Sequence, residues 1–473
     1  MVTCDRYLSC QRLWALACWF LFGLLVVSCT WNAVGQSSTP ESPRTADAFV
    51  DSVGLNVRLS YSEWPTATHW QKVDLTQNSR HLITDLGIRH LRDRIPHPEL
   101  QSTISYVNPR LGTLYLDHGA TFIVGVDARR DDGTLDPSKT AAFVDWYASG
   151  ELTTEAGERV AVRDMVEAIE GPNEYDRHHQ PEQREPNWAD NLNAYQAQIY
   201  EAVNAEPELA DIPVVAPSLI YTEYCRAPLQ PFAASANLGN LHPYPNYPYM
   251  RHPTATLSWH LERVTACTGD KPIWATETGY PTEDSNPEKI SERTAAKYTP
   301  RLLTEYFLTG KIARTFLHEI ARDTVDGWGL VAVEAGQHLR PKPAYHAVKS
   351  LLGLLSEATW DKDQRQWGSP EVALQPVAIA FEEKQPSTHH LLLQGTQRYY
   401  LLLWQEVESY NPDRGNFEVP PDTLTAQLPR EAHSLVVHTY NSAFTYDSQP
   451  LTAHHRQVQL SVPDSVMVLE FAL

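Results

Sequence analysis

Basic residues are scarce in this chain of 473 residues. It has 38 Lys and Arg against 58 Asp and Glu, so its formal net charge is −20. Nucleic acid and anionic lipid headgroups are both bound mainly through Lys and Arg. The deficit therefore argues against a nucleic-acid-binding protein and against electrostatic docking on a membrane. It favours a soluble surface and a neutral or cationic substrate.

Phosphate-binding and metal-binding motifs are absent as well. No glycine-rich loop follows the first strand-like run, which weighs against a nucleotide-binding, doubly wound sheet. His178 and His179 are adjacent and therefore point to opposite sides, and no His-Glu-x-x-His segment accompanies them. We therefore expect neither a cofactor nor a metal ion.

Cysteine is scarce beyond the N-terminus. Four of the six cysteines lie within the first 29 residues. The other two, Cys225 and Cys267, are an even pair. They could form one disulfide or remain two buried thiols, and the sequence does not decide between these.

The N-terminus has the pattern of an export signal. Two arginines precede an apolar run from Leu13 to Val27, which is too short for a spanning helix and typical of a signal peptide. Its end, Val26-Val27-Ser28-Cys29, resembles a bacterial lipobox, although an ordinary signal peptide or an uncleaved anchor is also compatible. We expect a signal peptide over 1–29 and a flexible tether over 30–49. The protein would then be exported to the cell surface or periplasm, with membrane attachment only through a lipid at Cys29.

Residues 50–355 alternate strand-like and helical stretches. The predicted strands are Val53–Leu59, Ile88–Arg94, Thr121–Val126, Val166–Gly171, Pro213–Ala216, Leu238–His242, Pro272–Thr276 and Ile312–Leu317. The predicted helices are Trp70–Leu86, Thr140–Ala148, Ala189–Ala205, Ala255–Val264, Ser291–Leu308 and Pro343–Leu355. Eight short strands separated by helices predict a closed (β/α)8 TIM barrel, with an open doubly wound sheet as the alternative.

Residues 356–473 have a different character. Short strand-like runs are separated by Pro, Gly, Asn and Asp: Val377–Phe381, His389–Leu393, Tyr399–Trp404, Leu424–Leu428, Ser434–Thr439, Val458–Ser461 and Val466–Phe471. This pattern predicts an all-β sandwich domain after the barrel. The predicted fold class is thus α/β, a (β/α)8 TIM barrel followed by a C-terminal β-sandwich, and we expect a monomer.

Two glutamates about a hundred residues apart carry the functional prediction. Glu174 follows the fourth predicted strand and is preceded by Asn173, and Glu277 follows the core of the seventh. Residues at the carboxyl ends of barrel strands face one shared pocket. Two carboxylates brought together in this way suit cleavage of a glycosidic bond, whereas a lone Asn-Glu pair would more often cap a helix or lie on the surface.

These residues resemble those of the clan A glycoside hydrolases, with families 39 and 5 as the nearest kin. The resemblance covers roughly residues 50–355. It implies that Glu174, in its Asn173-Glu174 pair, is the acid/base and that Glu277 is the nucleophile. It also implies a retaining outcome.

Three further residues match the same clan. His242 and Tyr244 form its His-x-Tyr after strand six, and Arg92 matches its arginine at the end of strand two. Arg92 and the Tyr244 hydroxyl are donors that would keep Glu277 ionised. Partial burial and a nearby carboxylate would raise the pKa of Glu174, so that it holds a proton. A structural ion pair for Arg92 and a merely rigid loop around His242 are the alternatives.

Other predicted site residues are less specific. The eighth strand lacks the tryptophan often found there in the clan, and Trp328 in the following loop could take its place. Glu319 could bind substrate or form an ion pair. Asp127 after strand three could line a subsite or cap the next element. For Glu170 we favour a structural role.

The sequence therefore predicts a retaining glycoside hydrolase that acts on a polysaccharide or oligosaccharide by double displacement. A transglycosylase would carry the same residues. A non-catalytic polysaccharide-binding or matrix protein on a barrel scaffold is the alternative from another class, and its expected signature, the loss of one carboxylate, is not present. The sugar and the choice between endo and exo action stay open.

Overall fold

The structure is a computed structural model, and it describes residues 39–57, 59, 80–97, 104–177, 185–286, 289–322, 327–334, 339–451 and 456–473. The predicted signal peptide and lipobox, most of the tether, and His178 and His179 lie outside these ranges, as does the first part of the predicted helix Trp70–Leu86. No helix among the described residues is long and apolar enough to cross a membrane.

Eight parallel strands form the predicted barrel. They are β1 (Val53–Asn56), β2 (His90–Arg92), β3 (Thr121–Gly125), β4 (Val166–Glu170), β5 (Val214–Val215), β6 (Gly239–Leu241), β7 (Ile273–Thr278) and β8 (Ile312–Leu317). Their order in the sheet is β5-β4-β3-β2-β1-β8-β7-β6. A parallel bridge between Val215 and Leu238 joins the two ends. The predicted (β/α)8 fold is confirmed, and the open doubly wound sheet is not observed.

Helices lie between and around these strands. They are α1 (Ala46–Asp51), α2 (Arg80–Asp85), α3 (Ile104–His118), α4 (Thr140–Ser149), α5 (Val162–Met165), α6 (Trp188–Ala205), α7 (Leu257–Thr268), α8 (Glu292–Leu308) and α9 (Pro343–Leu355). Single 3₁₀ turns cover Pro137–Lys139, Tyr175–Arg177, Pro207–Leu209, Thr222–Cys225 and Phe232–Ala234. Helix α3, which contains Pro109, was not among the predicted helices.

The barrel interior is filled by side chains. Ile123, Ala168, Val215, Trp274 and Phe316 form a buried cluster inside it. The close packing leaves no room for a side chain on β1 at Gly54, where an added Cβ would lie 2.3 Å from the Phe316 ring. Because the middle of the barrel is solid, a substrate pocket must lie at one end of the strands.

A cluster of charged side chains lies at the end of the barrel where the strands begin. His90 lies between two carboxylates, with Nδ1 2.6 Å from Glu167 and Nε2 3.0 Å from Asp51. Arg314 contacts the same two carboxylates at 2.9 and 3.0 Å. Burial opposes a charge on His90, but Glu167 and Asp51 outweigh it and raise the pKa of His90. This cluster therefore holds partly buried charges that are matched to one another.

The C-terminal region contains the predicted β-sandwich. Its strands are β9 (Ala380–Glu382), β10 (Thr388–Gln394), β11 (Tyr399–Gln405), β12 (Asp422–Gln427), β13 (His433–Tyr440), β14 (Tyr446–Pro450), β15 (Gln457–Val462) and β16 (Met467–Ala472). Strands β10, β11, β16, β13 and β14 pair in that order, and β9, β12 and β15 form a second sheet. A buried apolar cluster that includes Leu401, Leu424, Val462 and Leu469 packs between them.

The remaining strands are short. They are Arg44–Thr45, Glu151–Thr153, Arg159–Ala161, Ala321–Arg322, Val331–Val333, Leu339–Pro341, Thr359–Asp361, Gln366–Gly368, Tyr410–Asn411 and Gly415–Asn416. Arg44–Thr45 pairs with β10 of the sandwich, and α1 follows at once. The predicted tether over 30–49 therefore extended too far, because its described end belongs to regular structure.

The sandwich is joined to the barrel through buried charges on α8. Arg301 is fully buried and binds Glu406, which follows β11, through Nε at 3.0 Å and Nη2 at 2.7 Å. The same carboxylate accepts hydrogen bonds from the backbone and hydroxyl of Thr254 at 2.9 and 3.0 Å and contacts His252 at 2.9 Å. One sandwich residue thus holds both α8 and the loop that follows β6.

Cys225 and Cys267 form a disulfide, which resolves the alternative left open by the sequence. It ties the segment after β5 to the end of α7.

Candidate active site

Glu277 is the second-to-last residue of β7, and hydrogen-bond donors surround its carboxylate. Arg92 at the end of β2 donates from Nη1 to Oε1 at 2.6 Å, and the Tyr244 hydroxyl donates to Oε2 at 2.8 Å. His318, which directly follows β8, places Nδ1 3.4 Å from the same Oε2. Glu277 is 9% exposed, so it is reached only from the pocket side.

The surroundings keep Glu277 ionised. Its burial by itself would raise the pKa. The positive charges of His242, His318 and Arg92 and the hydrogen bond from Tyr244 outweigh burial and hold the pKa of Glu277 well below its usual range. Ionisation is the state in which a carboxylate can act as a nucleophile.

Arg92 organises the floor of the pocket. Besides Glu277, its guanidinium donates to Glu170 at 2.6 Å, to the Asn173 side-chain oxygen at 2.7 Å and to the Asn56 side-chain oxygen at 3.0 Å. The planar, multidentate guanidinium can bond all four at once, which a lysine could not. Arg92 therefore fixes the side chains of β1, β2, β4 and β7 relative to one another.

Glu170 has a structural position. It is 2% exposed, and its second oxygen accepts from Asn240 at 2.7 Å and lies 2.8 Å from the Thr276 hydroxyl. Together with Arg92 these contacts occupy both of its oxygens. Glu170 therefore neutralises Arg92 from below, as favoured from the sequence, and does not face the pocket.

Glu174 follows β4 in an unusual backbone conformation. Its φ angle is 45°, in the left-handed region that side chains other than glycine rarely adopt. Its backbone N–H donates to the Ser218 carbonyl and hydroxyl oxygens, both at 3.1 Å. Local strain of this kind persists where surrounding contacts hold it, and it is frequent at functional sites.

The Glu174 carboxylate is paired with two basic side chains. Oε1 lies 2.8 Å from His242 Nδ1, and Oε2 accepts from Arg177 at 3.2 Å. Burial would raise the pKa of Glu174, but the hydrogen bond and charge of His242 outweigh it, and the net pKa lies below the usual value. This differs from the raised pKa expected from the sequence, because that expectation did not include an imidazole in direct contact.

The surroundings of His242 favour its protonated form. Its Nε2 lies 3.0 Å from the Thr276 hydroxyl, and burial by itself would lower its pKa. The charges of Glu277 and Glu174 and the hydrogen bond to Glu174 reverse that effect, so the pKa of His242 is raised. The 2.8 Å contact between His242 and Glu174 therefore favours a proton on this pair.

The two carboxylates approach the same nitrogen of His242. Its Nδ1 is 2.8 Å from Glu174 and 3.8 Å from Glu277. One possible metal-ligand atom from each of the three residues, a ring nitrogen or a carboxylate oxygen, lies within 4.8 Å of the other two. Such a set could also hold a metal ion. In the structure Arg92 and the Tyr244 hydroxyl already donate to the two oxygens of Glu277, and His242 contacts Glu174.

Aromatic rings form a wall beside Glu277. Trp328 packs edge-on against Tyr244, with 5.1 Å between ring centroids, and against His318 at 5.3 Å. Trp328, the predicted substitute for the missing tryptophan, therefore lies next to two side chains that contact Glu277. The residue directly after β8 is a histidine, which brings a polar ring to the place where the clan often has tryptophan.

Two predicted substrate-binding residues contact neighbouring side chains. Glu319 is fully buried, with Oε1 3.4 Å from His318 Nε2, so it is behind the pocket wall rather than in contact with a substrate. Asp127 is bound at both oxygens by Arg129, which also donates to the Asn173 carbonyl at 2.8 Å. Asp127, through Arg129, orients the loop that carries Asn173 and Glu174, and its contact with a substrate stays a prediction.

Three polar residues at or shortly after the ends of barrel strands were not among the predicted site residues. Asn56 ends β1, Ser218 follows β5, and His318 follows β8. Their positions in the sequence could have identified them, since polar residues at the carboxyl ends of all eight strands face one pocket. Only strands that match a family motif were used for the prediction.

Comparison with known proteins agrees with this architecture. No family model and no curated protein matches the sequence. Among solved structures, a family 39 glycoside hydrolase from Bacteroides cellulosilyticus WH2 is similar with a TM-score of 0.53 and 14% identity, over 90% of this chain and 82% of that one. A glucosidase from Croceicoccus marinus is similar with a TM-score of 0.55 and 10% identity, over 92% and 98% of the two chains.

A third similar structure is a family 30 endoxylanase from Clostridium papyrosolvens C71, with a TM-score of 0.50 and 10% identity over 92% of this chain and 98% of that one. At these identities the likeness concerns the fold. The chain therefore has the barrel-plus-sandwich fold of clan A glycoside hydrolases, and the resemblance drawn from its motifs is confirmed at that level.

Proposed function

We propose that this protein is a retaining glycoside hydrolase that cleaves O-glycosidic bonds by double displacement, with Glu277 as nucleophile and Glu174 as acid/base. One observation carries the proposal. Two carboxylates at the carboxyl ends of β4 and β7 have oxygens within 4.8 Å of each other and lie in contrasting surroundings. Retaining enzymes hold their carboxyl groups about 5–5.5 Å apart, whereas inverting enzymes leave about 6.5–9.5 Å for a water molecule.

In the first step Glu277 attacks the anomeric carbon, and the bond to the leaving oxygen breaks as that oxygen takes a proton. The proton comes from the His242–Glu174 pair, where 2.8 Å between Nδ1 and Oε1 allows direct transfer. The short Asn173 side chain is held by Arg92 at 2.7 Å, in a place where it can contact a sugar hydroxyl. Such contacts strengthen as the transition state forms.

In the second step water attacks the anomeric carbon of the glycosyl-enzyme, the bond between that carbon and Glu277 breaks, and Glu174 accepts the proton of the water. The change of role follows from electrostatics. The negative charge of Glu277 raises the pKa of Glu174, and that charge disappears when Glu277 is esterified by the sugar. The pKa of Glu174 therefore falls in the intermediate, which favours its action as a base.

The test is a panel of aryl β-glycosides and polysaccharides, beginning with β-glucosides and β-xylosides because similar structures include a glucosidase and an endoxylanase. Glu277→Gln should abolish turnover on every substrate. Glu174→Gln should lower it by about 10²–10⁴-fold on substrates with poor leaving groups and much less on those with good ones. Glu223→Gln changes an exposed carboxylate outside the site and serves as the control.

A wild-type protein that binds one polysaccharide, cleaves none, and binds it equally in both variants would be a binding protein, and the proposal would fail. A transglycosylase would instead give longer products when a sugar acceptor is added.

We also propose that the protein is exported and attached to a membrane by a lipid at Cys29. The disulfide between Cys225 and Cys267 supports an oxidising compartment. Expression in a bacterial host should place the wild type in the membrane fraction and Cys29→Ala in the soluble fraction. Equal distribution of the two would refute the lipid anchor.

A further inference from the structure

The aromatic wall continues outward from the catalytic pair. Beyond Trp328, the ring of Tyr247 lies nearly parallel to the indole, with 26° between the planes and 6.2 Å between the centroids. Tyr247 also lies 6.3 Å from Tyr244, which donates to Glu277. The wall therefore runs without a gap from the nucleophile to a ring that faces solvent.

Tyr247 differs from an ordinary surface tyrosine in its exposure and its support. It is 62% exposed, although it packs on a tryptophan that is only 9% exposed. Single exposed aromatics are common on proteins and mean little. An exposed ring that rests on a buried one and adjoins a catalytic pocket presents a flat apolar face at the position where the next unit of a substrate would lie.

The loop that carries Tyr247 is held in place from two sides. Within the loop, the Asn246 side chain donates to the Tyr249 carbonyl at 2.8 Å, and the Arg251 N–H donates to the Pro245 carbonyl at 3.0 Å. At its far end Glu406 of the sandwich binds Thr254 at 2.9 Å. A binding surface fixed before the ligand arrives loses less entropy when the ligand binds.

The other partner in the stack is fixed as well. The buried Lys342 side chain donates to the Gly327 carbonyl at 2.8 Å, next to Trp328. Trp328 and Tyr247 are therefore held by separate parts of the barrel, and their stacking is a property of the folded protein.

We infer that Tyr247 and Trp328 form a second sugar-binding subsite beside the catalytic one, which stacks against the apolar face of a neutral sugar ring. The ligand is an oligosaccharide or polysaccharide that places at least two rings in the cleft. The inference rests on the proposed function for the identity of the neighbouring site, and it adds a requirement for chain length.

The test measures the dissociation constants of xylo-, cello- and laminari-oligosaccharides of one to six units by calorimetry. The protein carries Glu277→Gln, so that no substrate is consumed. The tetrasaccharide with the lowest dissociation constant is chosen for the comparison. Adding Tyr247→Ala should raise its dissociation constant about tenfold, as expected for the loss of one aromatic stacking contact, and should leave that of the monosaccharide unchanged. Tyr249→Ala is the matched control, since Tyr249 is 65% exposed and has no ring contact among the described residues.

The outcomes separate this inference from the proposed function. If Tyr247→Ala and Tyr249→Ala behave alike, or if the loss is equal for one sugar and for four, the second subsite is refuted, whether or not the wild type is a hydrolase. If binding depends on Tyr247 and on chain length while the wild type cleaves nothing, the subsite stands and the proposed hydrolysis fails. If no oligosaccharide binds, both are refuted.

Discussion

The contribution of Glu406 to stability can be tested quantitatively, because this sandwich residue binds Arg301 and Thr254 of the barrel. Burial acts to raise its pKa, but the charge of Arg301, with hydrogen bonds from His252 and Thr254, lowers the pKa of Glu406 to about 2. Relative to an unfolded chain, that difference corresponds to about 3 kcal/mol of folding free energy at neutral pH. Removal of one partner from a buried ion pair typically costs about 3–5 kcal/mol.

Glu406→Gln should therefore destabilise the protein by about 3–5 kcal/mol, because it leaves Arg301 buried beside a neutral amide. For a unit of this size, a single unfolding transition would shift down by about 3–5 °C. The pKa of Glu406 is lowered on folding, so its contribution is present above the unfolded-state pKa and is lost as the pH falls below it. The difference between wild type and variant should shrink as the pH falls from 5 to 3.

The assay is thermal unfolding of wild type and variant between pH 3 and pH 7. Glu418→Gln is the control, since Glu418 also bridges to α8, through Arg293 and Lys297, but its side chain is 67% exposed. Exposed pairs contribute at most about 1 kcal/mol. If Glu406→Gln and Glu418→Gln gave equal shifts at pH 7, the buried joint would not stabilise the protein as argued here.

Two further predictions concern the site and the base of the barrel. Tyr244→Phe should lower kcat/KM by about 10–100-fold, since it removes one hydrogen bond to the charged Glu277 and keeps the ring on Trp328; an unchanged rate would refute the role of the hydroxyl. The free energy of unfolding of the wild type should fall as the pH rises above about 6.5, and His90→Gln should make this fall smaller. The pKa of His90 is raised on folding, so its contribution is complete below the unfolded-state pKa near 6.5 and is lost as the pH rises through the folded-state value. Parallel unfolding curves for wild type and variant from pH 5 to pH 9 would contradict this.

The fold could be predicted largely from sequence because apolar runs and their spacing determine it. The predicted β8 and α9 begin and end at the observed residues, Ile312–Leu317 and Pro343–Leu355. Helix α3, with Pro109 inside it, was not predicted, although prolines do occur within helices of this fold, as Pro300 does in α8. Propensity rules describe isolated helices, and tertiary packing overrides them.

The site was less predictable, since the direction of a side chain depends on one residue of register. Adjacent residues after a strand point to opposite sides. For Glu319, substrate binding and an ion pair were both open from the sequence. In the structure its neighbour His318 is the residue that contacts Glu277. Asp127 is bound by Arg129 only two residues away, and no pattern in the sequence distinguishes that pair from a free carboxylate.

The pKa of Glu174 could not be derived from sequence for a related reason. Its sign depends on whether burial or a contact with His242 dominates, and only the 2.8 Å distance decides this. Motifs identify which side chains meet, whereas charge states follow from atomic separations.

In the proposed mechanism Glu277 forms a covalent bond to the sugar. The most direct measurement is to incubate the protein with a 2-deoxy-2-fluoro-β-glycosyl fluoride of the sugar identified by the substrate panel and to map the labelled peptide by mass spectrometry. The account predicts a mass increase of one fluoroglycosyl group on Glu277 and none in Glu277→Gln. A label on another residue, or no label on a protein that is inactivated by the reagent or that hydrolyses its substrate with inversion, would contradict it.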